Sequence, residues 1–480
     1  MRKTLLGLSV LPLSLLAALP TTAFAASSPV QSEAQRIAAL EAKVQALEAE
    51  LQAMKAPAAP AAVATQPSPA PVAADQAASA EAEVDSLAAS PAETEAASSA
   101  PASVAAPAGD SGGGSNANAF NPAISIILNG SYTHHSLDPD AYARSGFPLS
   151  GEGRPAPDGF SLGESEVSFA SNIDDKLYGQ LTLTASSEDG QDHVGVEEAF
   201  IDTTSLPANF SVRAGRFYSD IGYLNGHHAH TDNFFDRPLP YQAFLGNQYG
   251  DDGVQVKWLA PTAIFLEFGA EAFRGNNYPS GGAQHGGLGT HTAFVHTGGD
   301  VGGENAWLAG VSMLKTQAAG AEDGFSGDTT LYIADGTWKW APQGNFKDGG
   351  ITLRGEYFLD QRNGQFELQD PGSSGPQLPL VVLWDGARRG AYLEGVYRLN
   401  RTWDVGYRYD RLWSDAGNPF SIGAGNFDPY RHTAELTWRN SEFSLVRLQF
   451  SHDKPNPDDS DNAVTVQYQT SLGAHGAHKF

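Results

Sequence analysis

From residue 119 to the end of the chain, polar and apolar residues alternate with a period of two. In the segment LYGQLTLTA, Leu177, Leu181 and Leu183 fall on one face, whereas Gln180 and Thr182 fall on the other. A period of two is typical of β-strands, because successive side chains of a strand point to opposite sides of the sheet. The pattern predicts that residues 119–480 form strands, without helical segments.

The alternating segments number sixteen. They are predicted near 123–135, 159–173, 177–188, 194–205, 210–221, 252–260, 264–275, 289–299, 305–317, 328–341, 351–362, 388–399, 402–414, 430–439, 443–453 and 462–472. Connections after even-numbered strands are short, and the longer connections all follow odd-numbered strands. The longer ones are 136–158, 222–251, 276–288, 318–327, 363–387 and 415–429, of which 222–251 is the longest. This asymmetry and the even strand number are typical of outer-membrane barrels. The predicted fold is an all-β, transmembrane, antiparallel β-barrel of about 16 strands.

A soluble β-sandwich would also alternate, so the tryptophans help to separate the two folds. They lie at or near predicted strand ends, where a membrane barrel carries its interfacial aromatic girdle. The residues concerned are Trp258, Trp307, Trp338, Trp340, Trp403, Trp413 and Trp438. A lumen bounded by so many strands is too wide for side chains to fill, so a channel is the expected consequence.

Residues 1–25 have the features of a secretory signal peptide. Two basic residues, Arg2 and Lys3, precede an apolar run that ends at Leu19, and the sequence AFA that follows is a small-x-small cleavage pattern. The mature chain is expected to begin near Ala26. At the other end, the final Phe480 resembles the sorting signal of outer-membrane barrel proteins.

Two segments separate the signal from the barrel. Residues 26–55 contain apolar residues at alternating spacings of three and four, which is the a/d seam of a short coiled coil. The seam residues are Ile37, Leu40, Val44, Leu47, Leu51 and Met54. A lone amphipathic helix is the alternative. Residues 56–118 are rich in Ala and Pro and have almost no large apolar side chains, so they are predicted to form a flexible linker.

Composition excludes several classes of protein. The chain has no cysteine, so neither a disulfide framework nor a thiolate metal site is available. Its 55 acidic and 29 basic residues give a formal net charge of −26. Nucleic acid binding requires a basic surface, and no nucleic acid partner is expected.

The connection 222–251 contains the sequence YLNGHHAHTDNFFDR and is rich in aromatic residues. It is too apolar for a freely solvated loop and is predicted to pack against the barrel wall or a neighbour. Its polar residues are predicted to line a pore constriction. They are His227, His228, His230, Asp232, Asp236 and Arg237.

The predicted lumen face is divided by charge. Strands 11–15 contribute Arg354, Arg398, Arg408, Arg439 and Arg447, and strands 2–4 contribute Glu164, Glu166 and Glu197. If the acids of the loop face the arginines, a transverse field crosses the constriction and favours small polar solutes. Alternatively, these charges pair within the wall and only stiffen the barrel.

Histidine and carboxylate side chains are ligands for zinc. In an extended stretch His228, His230 and Asp232 point to the same side, and His227 lies beside them. The sequence leaves two readings open, a transient zinc site within the pore and simple polar lining. A histidine cluster with ordinary pKa values would also suit a pH gate. No other cofactor is indicated.

Catalysis is not expected. No G-x-S-x-G motif occurs, and the histidines outside the loop are scattered. Adjacent acids such as Glu197 and Glu198 should face opposite sides of a strand and therefore cannot act together on one bond.

The order of signal, coiled coil, Ala/Pro-rich linker, sixteen-stranded barrel and terminal Phe480 resembles the phosphate-selective porin group and its relatives, coiled-coil-bearing trimeric porins. The segment VRAGRFYSDIG at 212–222 is similar to that group's strand leading into the third loop. The resemblance implies a homotrimer in the outer membrane of a Gram-negative bacterium, with the coiled coil in the periplasm. Phosphate selectivity does not carry over, because this loop offers only one arginine, Arg237.

These features together favour a passive porin for small polar or charged solutes, with lipid and a second and third copy of the chain as partners. A zinc-type metal channel using His227, His228 and His230 is one alternative, and a plugged structural or adhesive barrel is another. An energised receptor would need a folded plug before the barrel, which residues 26–118 do not provide.

Overall fold

The computed structural model describes residues 122–188, 191–281, 287–368, 380–423 and 426–473. The signal peptide, the coiled-coil segment, the linker and Phe480 lie outside the described residues, and these assignments stay predictions.

Within the described residues, sixteen antiparallel strands close into a barrel, as the alternation predicts. The strands are β1 (Ala123–His135), β2 (Gly159–Leu162 and Ser165–Asn172), β3 (Leu177–Glu188), β4 (Gln191–Thr203), β5 (Phe210–Tyr218), β6 (Gly250–Leu259), β7 (Phe265–Phe273), β8 (Thr290–Val301), β9 (Asn305–Ala319), β10 (Phe325–Trp340), β11 (Gly350–Leu368), β12 (Leu380–Arg398), β13 (Trp403–Ser414), β14 (Tyr430–Ser441), β15 (Ser444–Lys454) and β16 (Asp461–Gly473). The last strand closes the barrel by pairing with β1, with Ser125 opposite Gly473.

Strand β2 is interrupted but belongs to one position in the barrel. Both of its segments pair with β1, with Tyr132 opposite Phe160 and Ile127 opposite Glu166. The interruption at residues 163–164 places Glu164 beside the wall position of Glu166, which matters for the site described below.

The hairpin formed by β11 and β12 is longer than the sequence predicts. The predicted loop at 363–387 is largely strand, because β11 continues to Leu368 and β12 begins at Leu380. Asn363 and Gly364 resemble a turn in the sequence. Tertiary packing overrides them, since the ring of Phe366 is buried and lies 5.0 Å from that of Phe325.

The outer surface of the barrel is apolar. On β11, Leu353 and Tyr357 are exposed while the alternate residues Arg354 and Glu356 are buried inside. At the short-turn end, Trp403 lies opposite Trp438, in the manner of an aromatic girdle. An exposed apolar band with an aromatic rim fits a barrel surrounded by lipid.

The long connection between β5 and β6, residues 219–249, is called L3 below. It contains a 3-10 turn at Ala229–Thr231 and the helix α1 at Leu239–Leu245. Other 3-10 turns are Pro139–Ala141, Pro207–Asn209 and Pro342–Gly344. The prediction of strands alone misses α1, although Pro240 in its first turn and Gly246 at its C-terminal end are typical helix boundaries.

All residues of α1 are buried, and five of them belong to a hydrophobic cluster that includes inward-facing residues of β4, β5, β7 and β9 to β13. L3 supplies nearly half of the buried residues of this cluster. Within the described residues, no helix has the length and apolarity needed to cross a membrane.

Candidate functional site

L3 is anchored at its start by the carboxylate of Glu356 on β11. That carboxylate accepts hydrogen bonds from the backbone N–H of Tyr223 at 3.1 Å, from the hydroxyl of Tyr241 at 2.9 Å and from the hydroxyl of Tyr392 at 2.6 Å. Two of these donors are in L3 and one is in the wall. The loop is thus fastened inside the barrel before it reaches its histidines.

The histidines of L3 contact glutamates on β2 and β4. His230 Nδ1 lies 2.8 Å from Glu166 Oε1, and His228 Nε2 lies 3.0 Å from Glu198 Oε2. His228 Nδ1 lies 3.2 Å from Glu166 Oε2 and 3.3 Å from Glu197 Oε1. The two imidazole rings are stacked, with centroids 5.6 Å apart. These side chains are called the His–Glu cluster, which also includes Glu164, whose carboxylate lies close to those of Glu166 and Glu197.

The position of Glu197 corrects the expectation from the sequence. On a regular strand Glu197 and Glu198 would face opposite sides, but β4 carries a β-bulge here. Thr182 lies opposite Glu198 and Leu183 lies opposite Val196, which leaves Glu197 as the extra residue. A bulge redirects side chains next to it, and both carboxylates reach His228.

The surroundings of His228 change its proton affinity. Burial alone would lower the pKa of this imidazole, but the adjacent carboxylates of Glu166, Glu197 and Glu198 raise the pKa well above its ordinary value. The carboxylates therefore favour a positive charge at this point of L3.

His227 and Asp232 do not join the His–Glu cluster. The ring of His227 stacks on that of Tyr223, with centroids 4.6 Å apart, and its Nδ1 lies 2.7 Å from the Tyr223 carbonyl oxygen. Asp232 pairs with Arg237 at 2.9 Å. The structure therefore divides the residues that the sequence suggests as metal ligands and brings only His228 and His230 together.

The opposite side of L3 faces the arginines of β13 and β14. Asp236 lies 3.1 Å from Arg408 and 2.7 Å from Arg431, and it also accepts a hydrogen bond from Gln449 at 2.8 Å. Burial alone would raise the pKa of Asp236, but Arg431 and Arg408 lower it to about 2. At neutral pH this contact is an ion pair between the loop and the wall.

The remaining predicted wall arginines also have partners. Arg354 pairs with Glu394 at 2.9 Å, Arg398 and Arg439 both pair with Asp404, and Arg447 donates to the carbonyl oxygen of Asp232. Aromatic rings of L3 also contact two wall guanidiniums. Arg354 lies 4.0 Å from the centre of the Tyr223 ring, and Arg408 lies 4.8 Å from that of Phe234.

Beneath L3, at the short-turn end, lies a cavity of about 600 Å³. Its basic lining residues are Lys339, Arg354, Arg398, Arg439 and Arg447, and its acidic ones are Asp232 and Glu442. A smaller crevice bordered by Asp236 and Arg408 has no space for a water molecule. The larger cavity is called the vestibule below.

Three contributors to the site are absent from the sequence prediction: Glu198, Tyr218 and Arg431. The Tyr218 hydroxyl donates to Glu197 at 2.6 Å. Arg431 could be found from the sequence, because it lies on the same face of β14 as Arg439 by the period of two. Glu198 could also be found, because it lies on the same face of β4 as the buried Phe200. The position of Glu197 on that side could not, because the bulge has no signal in the sequence.

No family model matches the sequence. The chain is 27% identical over 401 residues to an uncharacterized protein of Aquifex aeolicus, a match that covers 75% of this chain and 80% of that one.

Similar solved structures are outer-membrane porins and channels. The outer membrane channel DcaP of Acinetobacter baumannii is 11% identical, with a TM-score of 0.48 over 73% of this chain and 97% of that chain. An anion-selective porin of Comamonas acidovorans is 10% identical, with a TM-score of 0.47 over 73% and 99%. The trimer form of OmpT of Vibrio cholerae is 13% identical, with a TM-score of 0.47 over the same shares.

Proposed function

We propose that this protein is a porin of the Gram-negative outer membrane, through which small polar or charged solutes diffuse passively. L3 is its constriction. The observation that carries the proposal is the placement of L3 inside the barrel, where its histidines contact glutamates on one side and Asp236 contacts arginines on the other. A loop held between two oppositely charged walls controls which solutes pass.

The vestibule supports a preference among solutes. Its lining contains five basic side chains and two acidic ones, whereas Glu394 and Asp404, which pair with three of these arginines, are not part of the lining. A solute bearing a carboxylate or another anionic group therefore meets guanidinium groups first. We infer that small anions enter the vestibule more readily than cations of the same size.

A barrel plugged by its own loop is the second candidate function, and the close packing around Asp236 favours it. In that case the protein would serve as a structural or adhesive element. The two candidates differ in one measurable property, because only the porin conducts ions without a change of fold.

Planar-bilayer recording of the purified full chain tests the choice. The porin should give step-like, ohmic currents on insertion, and proteoliposomes should swell in small sugars. If repeated insertions of folded protein give no current, the porin proposal is wrong and the plugged barrel is supported. Folding is checked independently by the heat-dependent gel shift typical of membrane barrels.

We also propose that the chain assembles as a homotrimer. The coiled-coil pattern at residues 26–55 supports self-association, and OmpT of Vibrio cholerae, which is similar in structure, has been solved in a trimer form. Cross-linking in detergent followed by electrophoresis should give a species of three chains. Only monomer at all cross-linker concentrations would contradict the assembly.

A further inference from the structure

The His–Glu cluster holds more carboxylate groups than its imidazoles can balance. Glu164, Glu166, Glu197 and Glu198 surround His228 and His230, whose rings carry at most two positive charges. Excess negative charge in a buried cluster is costly unless a proton or a bound cation compensates it. Glu166 is only 2% exposed, so water compensates this charge poorly.

Two atoms of the cluster lack hydrogen bonds. Glu197 Oε2 and His228 Nδ1 are buried and have no hydrogen-bond partner, although His228 Nδ1 lies 3.2 Å and 3.3 Å from carboxylate oxygens. Buried polar atoms are normally satisfied, and an exception in a cluster of ligand-type side chains points to an ion.

The spacing of the donor atoms fits a metal. One ligand atom each from Glu166, His228 and His230 lie within 4.8 Å of one another, as do those of Glu164, Glu166 and Glu197. The contacts of Glu166 with the two imidazoles are 2.8 Å and 3.2 Å long. Zinc bonds of about 2.0–2.2 Å place ligand atoms about 3.3 Å apart in a tetrahedron. Binding therefore requires the separations between ligand atoms to change by at most about 1.5 Å.

We propose that Glu166, His228 and His230, with Glu197 as the fourth ligand, form a binding site for a divalent transition-metal ion of the zinc type. The donor set of nitrogen and oxygen without thiolate suits zinc, copper and nickel better than magnesium or calcium. Since two ligands are in L3 and two are in the wall, the bound ion joins the loop to β2 and β4. The inference that this regulates passage rests on L3 being the constriction, whereas the binding itself does not.

Measuring the number of zinc ions bound per chain tests the site independently of any channel recording. Each form of the full chain carries His475→Ala and His478→Ala, so that the histidines of the tail do not contribute, and is stripped with chelator in detergent. After dialysis against micromolar zinc, the parent should retain one zinc per chain, and cobalt should give the visible absorption of a tetrahedral site. The double variant His228→Ala, His230→Ala should retain none.

Two further variants sharpen the result. Glu166→Gln keeps the size of the side chain and should weaken zinc binding by about tenfold or more, which corresponds to about 1.4 kcal/mol. His227→Ala is the matched control, because it changes a neighbouring histidine of L3 outside the donor set and should leave the stoichiometry and the cobalt spectrum unchanged. If the double variant does not fold, the zinc affinity of Glu166→Gln alone tests the site.

The outcomes separate this proposal from the porin proposal. An equal zinc dissociation constant in the parent and in Glu166→Gln, or no zinc in the parent, overturns the metal site whatever the current shows. Weaker zinc binding by Glu166→Gln together with a barrel that never conducts would uphold the site and reject the porin. In a conducting barrel, chelator should change the open-channel current of the parent and not that of Glu166→Gln.

Discussion

At the scale of single residues, Asp236 joins L3 to two arginines of the opposite wall. Both guanidiniums are at most 7% exposed, so they depend on this carboxylate and on Asp410 for compensation. Replacing Asp236 by Asn should lower the free energy of unfolding by about 3 kcal/mol, measured from guanidinium unfolding of the barrel. Asp415→Asn provides the control, because its pair with Arg389 is exposed and should contribute about 0–1 kcal/mol.

The same pair has a defined dependence on pH. The pKa of Asp236 is lowered to about 2 from an ordinary value of 3.8, so its stabilisation is complete above 3.8 and is lost as the pH falls through about 2. The difference in stability between the parent and Asp236→Asn should therefore be constant from neutral pH down to 3.8 and shrink below it. A difference that shrinks already near neutral pH would contradict the ion pair.

Gly222 is the second residue on which L3 depends. Its φ is +64°, and an added Cβ would lie 2.6 Å from Glu356 Oε2 and 2.8 Å from the Tyr241 hydroxyl oxygen. Gly222→Ala should cost more than the roughly 1–2 kcal/mol of a left-handed L-residue, because it also disturbs the anchor at Glu356. Gly302→Ala is matched in backbone conformation, with φ of +68° and open space around its Cβ. Equal destabilisation of the two variants would show that the anchor does not matter.

At the scale of elements, α1 is seated against a glycine of β12. A Cβ on Gly390 would lie 2.9 Å from both Phe244 Cε2 and Pro240 Cγ. Gly390→Ala should push the helix off the wall and change the single-channel conductance, whereas Gly336→Ala on β10, where the added carbon meets nothing within 4 Å, should not. An unchanged conductance in both variants would mean that α1 does not border the path of ions.

The elements also show what a sequence can predict here. Alternation predicts the strands well, because every barrel strand has one lipid-facing and one inward face, as Leu353 and Arg354 illustrate. It does not predict α1, whose seven residues are buried all round and have no polar face. Nor does it predict the contact of His228 with Glu197, which depends on a bulge and on a loop that folds back across the barrel.

At the scale of the whole molecule, the overall charge is negative but the vestibule is lined mainly by basic side chains. Ion selectivity therefore tests whether ions pass through the vestibule. The chain has a formal net charge of −26, which taken alone would favour cations. The charge of the vestibule lining has the opposite sign to the net charge of the chain, because basic side chains such as Lys339 and Arg439 outnumber acidic ones there. Local charge along a path governs selectivity more than net charge does, since charges beyond about 10 Å are screened at 0.1 M salt.

The reversal potential in a KCl gradient should therefore have the sign of anion selectivity, and Lys339→Gln combined with Arg439→Gln should move it toward zero. Lys347→Gln removes a basic residue of the same short-turn end that is exposed and does not line the vestibule, and it should leave the potential unchanged. A cation-selective parent, or equal shifts in the two variants, would place the path of ions outside the vestibule. In that case the positive lining serves only to hold L3 in place through pairs such as Arg447 with the Asp232 carbonyl.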